Sequence, residues 1–151
     1  MKDPKQGLLG DCALVSSICV VASLPSFPYI WSRVYCEEKS DAANGKHCFR
    51  IYELGKRKDV IIDDYIPCYS NKKPIFARSA DPNEMWVCLL EKAFAAFYGS
   101  YMALESGVTS EYMHRWNSNL PRYQIQEKGK GLETHFKSSL YHQIPLHRHR
   151  Y

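Results

Sequence analysis

The chain has 151 residues, 45% of them hydrophobic, enough for one globular body with a real core and too few for two large lobes. Its formal charge is +4, yet Met1 to Leu120 holds 14 basic and 14 acidic residues, so the excess lies wholly after Leu120 and describes a tail rather than a nucleic-acid-binding face. The start, "MKDPKQG", has no apolar targeting core and no apolar run reaches the roughly 18 residues of a membrane span, so a cytoplasmic protein without a transmembrane segment is expected.

In chain order, "QGLLGDC" is a glycine-rich loop leading into "CALVSSICVVAS", which is apolar on every side and stopped by Pro25, the pattern of a buried central helix. "PSFPYIWSRVYCEEKSDAANG" reads as a connecting region with a short amphipathic stretch and a polar turn. "HCFRIYE" then alternates Phe49 and Ile51 against Arg50, Gly55 marks a turn, and "KDVIIDDYIP" supplies a β-branched run, together a hairpin. In "DPNEMWVCLLEKAFAAFYGS" Asp81 is placed to cap a helix, with Pro82 in its first turn, Glu84 as capping-box partner and Gly99 as its stop. Trp86, Leu89, Leu90, Ala93 and Phe97 form its core-facing stripe, and a second short helix follows around Met102 to Glu105. After Leu120 the apolar residues are isolated and the segment is expected to be poorly ordered, which divides the chain into a domain over 1–119 and a basic tail over 120–151.

Six cysteines, at 12, 19, 36, 48, 68 and 88, are scattered without a Cys-x-x-Cys pair, which argues against a zinc knuckle and for buried free thiols. Cys12 differs from the others by its place in the first turn of a helix. There the unpaired backbone N–H groups favour an anionic sulfur and make the thiol a nucleophile. Gly10 would allow close approach of a substrate, and Gln6 offers an amide that could donate to an oxyanion alongside the Cys12 N–H. The loop composition by itself leaves Cys12 equally readable as an inert core thiol. Asp63 and Asp64, adjacent at a strand end, point to opposite faces and read as a solvated terminus rather than an acid–base pair.

The stretches "QGLLGDC", "FRIYELGKRKDVIIDDYIP" and "PIFARSADPNEMWVCLLEKAFAAFYGSYMALESG", in this order and spacing, resemble the first half of the catalytic core of the calpain family of cysteine endopeptidases, from about Asp3 to Glu111. The resemblance implies an α+β fold, the nucleophile subdomain of a papain-like core, acting on protein or peptide substrates. It matches Cys12 to the nucleophile and Gln6 to the oxyanion-hole glutamine, with Ala13 where the family carries a tryptophan. It also implies a calcium site on Asp3 and Glu84. Two carboxylates are few for an ion that takes about six to eight oxygens, so weak binding is expected there.

The glycine-His and Asn-Pro-Trp motifs through which the family supplies its base and orienting group do not occur in this sequence. His47, His114, His135, His142, His147 and His149 read as exposed histidines rather than bases, and "HQIPLHRHR" as a solvated tail rather than a metal site. The chain therefore reads as a fragment, a frame-shifted copy or a decayed copy of such an enzyme, inactive by itself and completed by a second-half catalytic subdomain. The alternative is a non-catalytic calpain-like binding or regulatory module that pairs with a full-length relative.

Overall fold

The computed structural model describes residues 3–116. The tail expected over 120–151, with its four histidines, lies outside the described residues. The elements are β1 (Pro4–Lys5), α1 (Cys12–Ser23), α2 (Phe27–Val34), β2 (Lys46–Glu53), β3 (Lys56–Asp63), β4 (Arg78–Ser79), α3 (Trp86–Tyr98) and α4 (Thr109–Trp116), with single 3-10 turns at Glu37–Lys39, Ala42–Asn44 and Met102–Leu104. This is an α+β arrangement. Two antiparallel pairs make up its sheet structure among these residues, the β2–β3 hairpin and a short β1–β4 ladder.

Helix α1 spans the run expected of it and is the centre of the core. Leu14, Val15, Ile18, Val21 and Ala22 are buried, and only Ser16 and Ser23 of the residues after Cys12 are exposed. The serine that faces inward, Ser17, donates its hydroxyl to Leu14 O at 2.7 Å, so burial leaves no polar orphan there. The hairpin also follows its sequence pattern: Phe49 and Ile51 are buried on one face, while Arg50 reaches out to pair with Glu38. Its turn is Leu54–Gly55, both at positive φ (50° and 77°), which suits Gly55 and leaves Leu54 fully exposed.

Three sequence expectations are corrected. The connecting region contains a true helix, α2, whose Phe27, Ile30, Trp31 and Val34 fall on one buried face; Trp31 packs edge-on against both Phe49 and Trp86. Helix α3 starts at Trp86 and not in the first turn proposed from Asp81, Pro82 and Glu84. Asp81 spends its Oδ1 on the Asn83 N–H at 3.0 Å, a local turn that competes with capping, and Glu84 turns to other donors. The far end agrees with expectation, since Gly99 closes α3 at φ 98°.

The third correction is α4, which sequence reasoning missed. It is eight residues long and mostly polar, and two aromatic residues anchor it: Tyr112 and Trp116 are buried against Phe94 of α3. Trp116 Nε1 also donates to Ser17 Oγ at 3.3 Å, tying α4 to the middle of α1 across 99 residues of chain. Arg115 reaches the β2 end through Tyr52 O at 3.3 Å. Truncating so large a fully buried ring leaves a cavity and removes the donor to Ser17 Oγ, so Trp116→Ala should cost about 3–5 kcal/mol in urea unfolding, against less than about 1 kcal/mol for the exposed Ser110→Ala.

Candidate active site

The segment from Asp3 to Asp11 is held on a second strand of chain, residues 75–80, which α3 holds in turn. Pro4 and Lys5 pair with Ser79 and Arg78, the Ala80 N–H donates to Asp3 O at 2.9 Å, and the Leu8 N–H donates to Ile75 O at 3.0 Å. Between these anchors lies Gly7. A β-carbon there would stand 2.3 Å from the Phe76 carbonyl carbon and oxygen, backbone atoms that cannot give way. Gly7 is thus the close-approach glycine of the loop. Gly10, singled out from sequence for that role, would meet only the Glu105 side chain at 3.7 Å, an ordinary contact.

This seating puts Gln6 and Cys12 at the two ends of one short, exposed loop. Gln6 Nε2 donates one N–H to Leu9 O at 2.7 Å, which orients the amide and leaves its second N–H for another acceptor. Cys12 is the first residue of α1 and is exposed, while the intrahelical bonds begin at Val15 N–H to Asp11 O, 3.1 Å. The N–H groups of Cys12, Ala13 and Leu14 therefore have no partner within the helix. The preceding residue, Asp11, makes no side-chain cap on them. Ala13 is buried in the core directly behind the thiol.

All six cysteines are free thiols. Cys36, Cys48 and Cys88 are buried; burial pushes the Cys36 thiol up to about 11 and the Cys88 thiol up to about 12, and it raises half-buried Cys19 as well. Cys19, Cys36 and Cys88 are therefore poor nucleophiles at neutral pH, and Cys12 is the exposed thiol of the six.

The two described histidines do not meet Cys12. His47 was expected to be exposed; it is 3% exposed, on the inner face of β2, with Nδ1 at 3.0 Å from the Tyr35 hydroxyl. A ring so placed cannot reach a solvent-exposed sulfur. His114 is exposed as expected, in the last turn of α4, and makes no hydrogen bond to Cys12.

Asp3 is exposed at the outer end of the β1–β4 ladder. Glu84 is partly buried, and its Oε2 accepts from Ser79 Oγ at 2.6 Å and from Trp86 Nε1 at 3.2 Å. The cavity beside Glu84, about 380 Å3, is lined by Lys5, Lys72, Lys73 and Arg78 as well as Asp81 and Glu84, a basic balance that opposes a divalent cation. No group of three or more His, Cys, Asp or Glu side chains suited to a metal ion occurs among the described residues. The described residues thus offer that site two carboxylates, one of them already engaged by Ser79 and Trp86. Asp63 is exposed, as read, and pairs there with Lys92 of α3, which holds its carboxyl below the usual carboxylate range.

The model of the family described as calpain family cysteine protease matches residues 1–146. The chain belongs to the calpain family of cysteine proteases. It is 38% identical over 135 residues to Calpain-A of Drosophila melanogaster, covering 87% of this chain and 16% of that protein. It is 44% identical over 125 residues to the Calpain-1 catalytic subunit of Mus musculus, covering 82% of this chain and 17% of that one. A plant relative, the calpain-type cysteine protease DEK1 of Arabidopsis thaliana, is 40% identical over 110 residues, 72% of this chain and 5% of its own length. The calpain-family chain thus spans about a sixth or less of the length of these curated relatives.

Because Gly7 seats the loop that carries both Gln6 and Cys12, Gly7→Ala should reduce the alkylation rate of Cys12 by iodoacetamide in the folded protein. Gly10→Ala should leave it within about twofold, the β-carbon there meeting only a flexible side chain. Peptide mapping after brief labelling distinguishes the two.

Proposed function

We propose that this chain is the nucleophile-bearing half of a calpain-type cysteine endopeptidase, acting on peptide bonds when a second, histidine-bearing half closes the cleft. The observation that carries the reading is the exposed Cys12 at the uncapped N-terminus of the central core helix, on the same anchored loop as the Gln6 amide. In the reaction the Cys12 sulfur adds to the scissile carbonyl. The negative charge that develops on the carbonyl oxygen takes hydrogen bonds from the second Gln6 N–H and the Cys12 N–H. Collapse of the tetrahedral adduct breaks the C–N bond and leaves an acyl-enzyme, and the departing amine takes a proton that the imidazole of the second half must supply. Water then hydrolyses the thioester and frees Cys12.

Support for the second half as partner comes from the rim of the loop. Leu8 is 73% exposed within it, and Met102 and Val108, at 66% and 61%, flank Glu105, which takes the Gly10 N–H at 3.4 Å. Exposed apolar side chains beside a nucleophile offer apolar area that a second half would bury. We place the protein in the cytoplasm. No described helix is long and apolar enough to cross a membrane, and the thiols are all free.

The positions of His47 and His114 favour a second reading, a non-catalytic binding or regulatory module, for the chain acting alone. The two readings divide on one experiment. The chain by itself should cleave casein and peptide substrates at background rate, since general acid–base assistance contributes about 10²–10⁴ and no described group supplies it. Addition of a second-half polypeptide carrying the missing histidine and asparagine should restore cleavage, and Cys12→Ser should abolish it. Failure of any second half to restore cleavage, with complex formation intact, would favour the binding module. Calcium should register in calorimetry only as weak binding, above the micromolar range, because Glu84 is already engaged and its cavity is basic. A tight isotherm lost in Glu84→Ala would reverse that assignment.

A further inference from the structure

Two acidic side chains lie in the core directly behind the nucleophile, and the chemistry above uses neither. Asp11 is fully buried and Glu91, on α3, is 1% exposed. Both Glu91 oxygens accept from the Ala77 N–H, at 3.0 and 3.2 Å. Both Asp11 oxygens are buried without a hydrogen bond of ordinary geometry, and only the Glu91 carboxyl and Asp11's own N–H are turned toward them. Carboxylates only accept hydrogen bonds, so these two can bond to one another only when one of them carries a proton.

We propose that Asp11 and Glu91 share a single proton in a buried carboxyl pair, and that this pair draws the Asp11 side chain away from the α1 N-terminus, leaving the first-turn N–H groups to the Cys12 sulfur. Aspartate is among the favoured helix caps, and Asp11 occupies the capping position at φ −97°, ψ 30° without making the cap. A capping carboxylate would consume those N–H groups and place a full negative charge where the anionic sulfur has to form. Turned inward, the same residue does neither. Asp11 and Glu91 are therefore positioning residues that act through the helix end.

The surroundings favour retention of the proton. From the Met102–Leu104 turn and its neighbours, Glu105 and Tyr101 face the pair; from α3 Cys88 does, and from α4 Tyr112. Glu105 is acidic and the other three are neutral at pH 7, so none of them compensates a second negative charge. Burial first, and then the hydrogen bond to Asp11, push Glu91 up to about 9 against the opposing Ala77 N–H; burial also raises Asp11, against the bond from Glu91. The folded protein thus holds a proton that the unfolded chain releases near the ordinary glutamate value of 4.5. The associated stabilisation is complete below about pH 4.5 and is lost progressively as pH rises to about 9.

The proposal rests on Cys12 as the nucleophile but is read without proteolysis, so failure of complementation with a second half would leave its test intact. The full chain is compared with Glu91→Gln, Glu91→Ala and Asp11→Asn in Cys12 alkylation at pH 7, in Tm from pH 5 to 10, and in the infrared band of a protonated carboxyl. Glutamine can still accept from Ala77 N–H and donate to Asp11. Glu91→Gln should therefore keep Cys12 alkylation within about twofold of wild type, remove the carboxyl band at pH 7 and flatten the fall of Tm between pH 5 and 9. Glu91→Ala frees Asp11 to cap, and Cys12 alkylation should fall by about threefold or more. If Glu91→Ala does not fold, Asp11→Asn serves in its place: it supplies an amide donor to Glu91 and should remove both the carboxyl band and the Tm slope. Wild-type alkylation in folded Glu91→Ala, an unchanged Tm slope in Glu91→Gln, or no carboxyl band in the wild type would each overturn the proposal.

Discussion

The Ala77 N–H, held by both oxygens of the buried Glu91 carboxyl, is the contact through which the helical core reaches the active-site loop. Remove it in thought and residues 75–80 lose their hold on α3; these residues in turn carry the ladder to Pro4 and Lys5 and the carbonyl that receives Leu8 N–H. The loop from Gln6 to Asp11 contains no secondary structure of its own. Its shape comes from a strand segment that Glu91 ties to α3, from the buried Leu9 and Asp11, and from the Glu105 contact to Gly10 N–H. A buried polar contact of this kind specifies geometry more than it adds stability. The Glu91 carboxyl must be desolvated to make it, and that cost appears as a proton retained far above the usual glutamate range.

The same logic explains what could be read along the chain and what could not. Helix α1 and the β2–β3 hairpin were legible because their patterns are local: a long apolar run for a helix at the centre of the core, and Phe49 and Ile51 alternating with Arg50 in a strand. Helix α4 was not legible, because eight mostly polar residues have no stable helix of their own and α4 exists through Tyr112 and Trp116 packing on Phe94 and Ser17. The start of α3 was misplaced for the converse reason. Asp81, Pro82 and Glu84 form a convincing local cap signature, yet Asp81 closes its own turn and Glu84 is drawn to Ser79 and Trp86.

At the site, the residue types were readable and their supports were not. Cys12 and Gln6 stand out by chemistry and by resemblance, but the glycine that matters is Gly7, whose neighbour Phe76 lies 69 positions away in the chain. His47 shows the limit from the other side. Its parity in the strand, two and four residues before Phe49 and Ile51, already put it on the covered face, and the polarity of histidine had outweighed that signal.

These observations converge on a division of labour in the cleft. Everything that fixes the sulfur and the oxyanion donor is local to the described residues: the loop anchors, the uncapped helix end and the inward-turned Asp11. Neither described histidine is placed to move the proton. A nucleophile held ready on one half and a proton carrier on another make turnover depend on how the halves meet, because amide expulsion requires both groups at one carbon within hydrogen-bond reach. In the proposed complex the exposed side chains of Leu8, Met102 and Val108 would be among the apolar groups buried by that meeting. Burying that rim would also exclude water from the helix end, where the unpaired N–H groups would then act in a medium of lower dielectric. Association and activation of the thiol would in this way be the same event.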